Sequence, residues 1–243
     1  MLRLIVIALM LFLYLLLGMP VLLVEWVIGK YNKKAKDYSC LRMVQTAFKL
    51  MLKVAGVRLT VIGEEHVPKD QAVLYIGNHR SYFDILLTYS RCPRLTGYVA
   101  KVEMLRYWLL RDWMKALYCL FLDREDMKAG LKTILQGIEY IKNGISICIF
   151  PEGTRNRQEE MLPFKEGSLK MPEKTACPII PMPITNSAEI FENHLPFVRP
   201  CHVILEYGTP ILPKELSKED RKFLGAYTQK KIQEMLDKNK DLL

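Results

Sequence analysis

The sequence predicts an α/β protein: a largely parallel or mixed central sheet flanked by helices, with a helical membrane anchor at the amino end. Three observations carry this. After residue 56, short β-rich runs alternate with helix-length stretches, the pattern of a sheet with crossover helices on its faces. Runs such as "ISICIF" (145–150) are almost continuously apolar, as strands buried on both faces are. From Leu4 to Val24 no residue is charged, and about 20 apolar residues suffice for a helix to cross a hydrocarbon core.

At the amino end, "LIVIALMLFLYLLLGMPVLLV" is followed by no small-residue cleavage site, so it reads as retained rather than as a removable signal. Gly18 and Pro20 are expected to bend or break the helix near its end. Lys30, Lys33, Lys34, Lys36 and Arg42 follow, and positive flanks stay on the cytoplasmic side, which places the downstream chain there. In 41–56, Leu41, Val44, Phe48, Met51, Leu52 and Ala55 fall on one helical face and Arg42, Lys49 and Lys53 on another. Two readings fit that helix: an interfacial membrane helix, or an ordinary helix packed on its own domain. The anchor is accordingly either a single crossing or a two-helix device in one leaflet. The chain divides into 1–56, the membrane-anchoring helices, and 57–243, the folded domain.

Within that domain, strands are predicted at 57–63, 72–77, 96–101, 119–123, 145–150, 179–184 and 202–208. Helices are predicted near 83–91, 103–117, 126–142 and 217–239. The chain has 243 residues, half of them apolar and a quarter charged, which excludes a disordered protein. A net charge of +9 suits an anionic partner: nucleic acid, an anionic membrane or a phosphorylated substrate. No nucleic-acid motif is present, so that partner ranks last. Six scattered cysteines (Cys40, Cys92, Cys119, Cys148, Cys177, Cys201) read as buried free thiols in a reducing compartment rather than as a disulfide framework.

In parallel sheets ligands bind beyond the carboxyl ends of the strands, and two polar boxes begin there. "NHRSYFD" (78–84) sets His79 five residues before Asp84. Histidine takes and returns protons near neutral pH, and a carboxylate can hold its ring and support the imidazolium. The competing reading is structural: Ser81 and Asp84 have the spacing of a capping box, and Asn78 simply ends the strand. A metal site is not expected, because no other histidine is paired with His79 at ligand spacing. "FPEGTRNR" (150–157) turns sharply at Pro151 and Gly153 and crowds Glu152, Arg155 and Arg157 together. An arginine held at a turn makes forked bonds to phosphate or carboxylate; a solvated turn with a Glu–Arg pair is the alternative. Lys101 and Arg124 end other strands and Lys165 follows, so these cations are expected to converge on one cleft.

Read together, these residues resemble the glycerolipid acyltransferase superfamily, specifically the 1-acylglycerol-3-phosphate acyltransferases. Four ordered blocks carry the resemblance: N-H-x-x-x-x-D at Asn78, His79 and Asp84; a strand ending in arginine, "LFLDR", at Arg124; F-P-E-G-T-R at Phe150–Arg155; and an apolar run with two prolines, "IIPMPI", at Pro181 and Pro183. The resemblance implies transfer of a fatty acyl group from a thioester, acyl-CoA or acyl carrier protein, to the 2-hydroxyl of 1-acylglycerol 3-phosphate, giving phosphatidic acid. It implies no cofactor beyond that co-substrate, a lipid acceptor in the membrane, and an anchor in one leaflet. His79 is then the base and Asp84 its orienter; Arg155, Arg124 and Lys101 bind the phosphate. Asn78, Glu152, Gly153 and Thr154 support them, with Glu152 shaping the turn or positioning Arg155. Transfer to glycerol 3-phosphate or another lysophospholipid is the neighbouring alternative, and a non-catalytic adaptor binding anionic lipid is the alternative from outside enzymes.

Overall fold

A computed structural model describes residues 1–158 and 160–243 of the chain. Two long helices come first, α1 (Leu2–Tyr31) and α2 (Lys33–Ala55). The α/β portion follows as β1 (Arg58–Ile62), β2 (Leu74–Ile76), α3 (Phe83–Tyr89), β3 (Thr96–Lys101), α4 (Trp108–Ala116), β4 (Leu120–Leu122), α5 (Met127–Lys142) and β5 (Ser146–Ile149). It closes with α6 (Lys170–Thr175), β6 (Ile179–Pro181), β7 (Ile184–Thr185), β8 (His202–Glu206), α7 (Lys218–Lys222) and α8 (Leu224–Lys240).

Five strands form a parallel sheet in the order β4-β3-β5-β2-β6. β2 and β5 are neighbours in register, Ile76 opposite Ile149, so the segments leaving them emerge side by side at the carboxyl edge. Every residue of β2 and β5 is buried, which is why both read as apolar runs with no alternation. A second sheet, β1-β8-β7, contains the one antiparallel pairing between named strands among the described residues, β7 with β8. Its strands β1 and β8 were expected in the main sheet. The predicted strand 179–184 is in fact two, because Pro181 and Pro183 lack the N–H that would continue one ladder. The chain there leaves the large sheet and enters the small one.

Helix boundaries shift for local reasons. The stretch 102–106 is a tight 3-10 turn before α4, and the predicted 217–239 helix breaks at Phe223. Helix α6 was not anticipated. α1 continues through Pro20 to Tyr31, so the expected break is absent: proline removes only one backbone donor, and the helix packs on α4 before that point and on Ser39 of α2, through Glu25, after it. Gly18 lies against Trp113 of α4, where an added Cβ would sit 2.8 Å from the indole, and Tyr14 packs on the same ring at 5.0 Å between centroids.

The second helix resolves the choice left open above. Leu41, Val44, Met51, Leu52 and Ala55 are all buried, and the buried Gln45 amide donates to the Cys92 carbonyl beyond α3 at 2.7 Å. The apolar face of α2 is therefore core, joined with α3 in one hydrophobic cluster, and it is not free to contact lipid. The free apolar face belongs to α1, where Leu2, Ile5, Leu9, Phe12, Leu13, Leu16, Leu17, Leu23 and Val24 are exposed. By length and composition α1 is the one helix among the described residues able to cross a membrane. All six cysteines are unpaired thiols, and burial pushes the Cys92 thiol up to about 11.

Candidate active site

The loop between β2 and α3 folds around one carboxylate. Asp84 Oδ2 accepts from the backbone N–H groups of Arg80 and Ser81, each at 2.8 Å, and lies 2.8 Å from His79 Nδ1. Ser81 Oγ accepts in turn from the Phe83 N–H at 3.0 Å. One carboxylate thus both closes the turn, taking the Ser81 N–H as a capping box would, and meets the ring of His79. Because the two backbone groups are obligate donors, Oδ2 serves as an acceptor. His79 Nδ1 is therefore the donor in this contact, and Nε2 is the ring nitrogen left free of Asp84. Asp84 is completely buried, and its Oδ1 has no partner among the described residues.

The ring of His79 stacks on Phe150, 4.5 Å between centroids and 16° from parallel. Gly77 makes room for that platform. A Cβ there would lie 2.8 Å from the Met182 carbonyl oxygen and 3.1 Å from the Phe150 ring.

The second box clamps the first. Glu152 Oε1 accepts the His79 N–H at 2.8 Å, and the Asn156 N–H donates to the His79 carbonyl at 2.7 Å. Both backbone groups of the histidine are thus tied to "FPEGTRNR", across the register of β2 and β5. Glu152 Oε2 accepts from Leu162 N–H at 3.0 Å. Of the two roles expected of Glu152, shaping the turn or positioning Arg155, its contacts match the first: its two oxygens accept from backbone donors, and Arg155 pairs with Glu192. Burial pushes the Glu152 carboxyl above its ordinary range, against the pull of those N–H donors. Asn78 is structural. Its amide pairs with both backbone groups of Ile184 at 2.8 and 3.0 Å, so the fourth block buttresses the first.

The cations are less tightly held. Arg155 lies with its guanidinium carbon 3.4 Å from the centroid of Tyr82 and its Nη1 3.4 Å from Glu192 Oε1. Arg80, Tyr82, Arg155, Asn156, Arg157 and Glu192 line a cavity of about 370 Å³ beside the histidine loop. Arg124 sits on the other flank of the turn, its guanidinium 3.3 Å from where a Cβ on Gly153 would stand. Gly153 has φ +78°, a left-handed conformation that favours glycine. Lys101 and Thr154 are exposed and make no side-chain hydrogen bond among the described residues. The predicted convergence is therefore partial: the cations share one edge of the sheet, but Arg124 and Lys101 do not line the cavity that holds Arg155, and Lys165 contributes only its backbone N–H to the Pro151 carbonyl. Phe150 as a ring platform, Asn156, Tyr82 and Glu192 went unremarked in the sequence as parts of the site. Glu192 lies outside every recognisable block.

Fold and site together define an α/β protein with a His–Asp pair and a cationic turn at the carboxyl edge of a parallel sheet. The chain belongs to the acyltransferase family, whose model matches residues 58–185. A probable 1-acyl-sn-glycerol-3-phosphate acyltransferase of Mycoplasma pneumoniae is 33% identical over 149 residues, 59% of this chain and 55% of the relative. The 1-acyl-sn-glycerol-3-phosphate acyltransferase of Borreliella burgdorferi is 29% identical over 80% of this chain and 78% of its own length. That of Saccharomyces cerevisiae is 32% identical over 80% and 63%. The match thus spans a little over half of the Mycoplasma protein. The crystal structure of the 1-acyl-sn-glycerophosphate (LPA) acyltransferase PlsC from Thermotoga maritima shares the fold, with a TM-score of 0.81 at 22% identity over 98% of this chain and 95% of that one.

Proposed function

We propose that the protein transfers a fatty acyl group from an acyl thioester to the 2-hydroxyl of 1-acylglycerol 3-phosphate, producing phosphatidic acid. The observation that carries this is the His79–Asp84 pair, with the histidine backbone tied on both sides to the F-P-E-G-T-R turn. The names of the relatives supply the acceptor. His79 Nε2 removes the proton from the 2-hydroxyl as its oxygen attacks the thioester carbonyl, and Asp84 supports the imidazolium through Nδ1. The tetrahedral intermediate collapses by breaking the carbon–sulfur bond, and the imidazolium returns its proton to the departing thiolate. No covalent acyl-enzyme is needed, because fixing acceptor and thioester in line lowers the barrier by itself.

Arg155 takes the acceptor phosphate in the cavity beside this loop, with Arg124 and Lys101 adding positive charge along the same edge. The co-substrate is acyl-CoA or acyl carrier protein, with no further cofactor. The exposed apolar face of α1 holds residues 1–56 on a membrane in which acceptor and product dissolve, with 57–243 as the catalytic domain on the cytoplasmic side. One side of α1 is occupied by the fold, Tyr14 and Gly18 by Trp113 of α4 and Glu25 by Ser39 of α2, so lipid does not surround it, which supports seating in one leaflet over a crossing.

The test offers the purified full-length chain a panel of labelled acyl thioesters with lysophosphatidic acid, glycerol 3-phosphate and other lysophospholipids. The expected product is phosphatidic acid, identified by mass and formed far more slowly by His79→Ala. Product from another acceptor only would overturn the assignment.

A further inference from the structure

Arg155 lines the cavity together with Arg80 and Arg157, and its guanidinium is held from two sides by groups outside its own turn. The Tyr82 ring lies beneath it. Glu192, from the segment between β7 and β8, reaches it with Oε1, and the same oxygen accepts the Tyr82 N–H at 2.8 Å. One carboxylate oxygen therefore ties down the backbone of the residue whose ring Arg155 stacks on and also meets the guanidinium itself. The side chain of Glu192 is only 10% exposed. Its Oε2 is buried without a partner among the described residues, so the carboxylate is spent on nothing but this arrangement. Tyr82 lies two residues before Asp84, so the same contact joins the anion-binding arginine to the turn that carries the His–Asp pair.

We propose that Glu192 is a positioning residue that sets Arg155 for the acceptor phosphate. This rests on the reading of Arg155 given above. Stacking and a single-point contact leave the remaining guanidinium N–H groups free for a phosphate, the forked recognition to which arginine is suited. Two effects of the Glu192 charge oppose each other. It orders the arginine, and it competes with the phosphate for it. At 3.4 Å the contact to Nη1 is long and competes little with a phosphate, whereas the 2.8 Å bond to the Tyr82 N–H holds the residue whose ring Arg155 stacks on, so the ordering runs mainly through Tyr82.

The experiment measures steady-state kinetics with lysophosphatidic acid and an acyl thioester for Glu192→Ala, Glu192→Gln, Arg155→Ala and the double variant. For Glu192→Ala the acceptor KM is expected to rise about tenfold, the scale of one hydrogen bond to a charged group. The donor KM and melting temperature should stay put, with most of the change in KM rather than kcat. Glu192→Gln, whose amide oxygen still accepts from Tyr82, should recover most of the affinity. In the double variant the Glu192 change should add nothing to Arg155→Ala. A Glu192→Ala variant whose acceptor KM falls, or whose kcat and melting temperature drop together with KM unmoved, overturns the proposal. So does additivity in the double variant. If Arg155→Ala raises the acceptor KM and Glu192→Ala does not, this inference fails and the role of Arg155 stands. If neither changes it, both fall.

Discussion

The histidine loop and the arginines beside it occupy one edge of one sheet, yet they are held in opposite ways. His79 is constrained at its ring nitrogen, its ring face, its backbone N–H and its backbone carbonyl. Arg155 has one long ion pair and a stacking contact, and Arg124 and Lys101 project into solvent. A group that moves a proton must sit within hydrogen-bond reach of its target, and a displacement of about 1 Å can cost about a hundredfold in rate. A group that binds a phosphate can let the ligand complete its geometry. The base is fixed on every side, whereas Arg155 is steered by Tyr82 and Glu192 and leaves its remaining N–H groups for the substrate to engage.

That contrast is most sharply broken at the pair itself. His79→Ala should lower kcat by about a thousandfold, within the range for general acid–base catalysis, while the melting temperature holds. Asp84→Ala should lose a similar factor and also destabilise the fold. It leaves the buried Ser81 N–H and its neighbour at Arg80 without an acceptor, at about 1–3 kcal/mol per unsatisfied group. Parallel kinetics and denaturant titrations separate the two variants. If Asp84→Ala melts like the parent, the carboxylate is not the organiser of the turn.

Next in size is the clamp. Arg155→Ala should raise the acceptor KM by about 10–100-fold, the scale of a charge-assisted contact, with no loss of stability. Arg124→Ala should act in the same direction but more weakly, as befits an exposed, salt-screened charge. Equal effects from the two arginines would erase the distinction between a cavity-held cation and a peripheral one.

Glu152 gives a pH-dependent test. Glutamine offers one acceptor oxygen where Glu152 uses two, so Glu152→Gln should cost about 1–3 kcal/mol by orphaning one N–H. The Glu152 carboxyl is raised by burial, so the folded state binds more protons than the unfolded one in that interval. Its contribution to stability therefore falls as pH rises from the ordinary carboxylate range through the raised value. The stability gap between parent and Glu152→Gln should narrow over the same interval in urea titrations, and a gap that widens would reverse the sign. Smallest is Gly153→Ala, which should cost about 1 kcal/mol for a left-handed residue and displace Arg124 enough to raise the acceptor KM modestly.

Much of this was legible in the chain itself. β3 begins and ends where expected, and the His79–Asp84 contact closes within a single turn, so its geometry is local and follows from spacing. Less was legible wherever an alternative was equally satisfied by pattern. The amphipathic face of α2 looks the same whether it meets lipid or core, and only the packing of α3 against it chose the core. The break at Pro181–Pro183 was written in the missing N–H groups but was read as one strand, because an apolar run does not reveal which sheet it joins.

What the sequence determined by itself was therefore most of the strands and longer helices, the apolar outer helix and the two polar boxes, because strand burial, helix length and turn chemistry act within a few residues. What only tertiary structure decided was the partner of each charged group. Glu152 serves the backbone of His79, 73 positions away in the chain, and Glu192 serves Arg155 and Tyr82 rather than solvent. Those pairings depend on the lateral register of β2 and β5 and on the path of the segment after β7. Both are set by the packing of the whole sheet, and neither leaves a trace in local spacing.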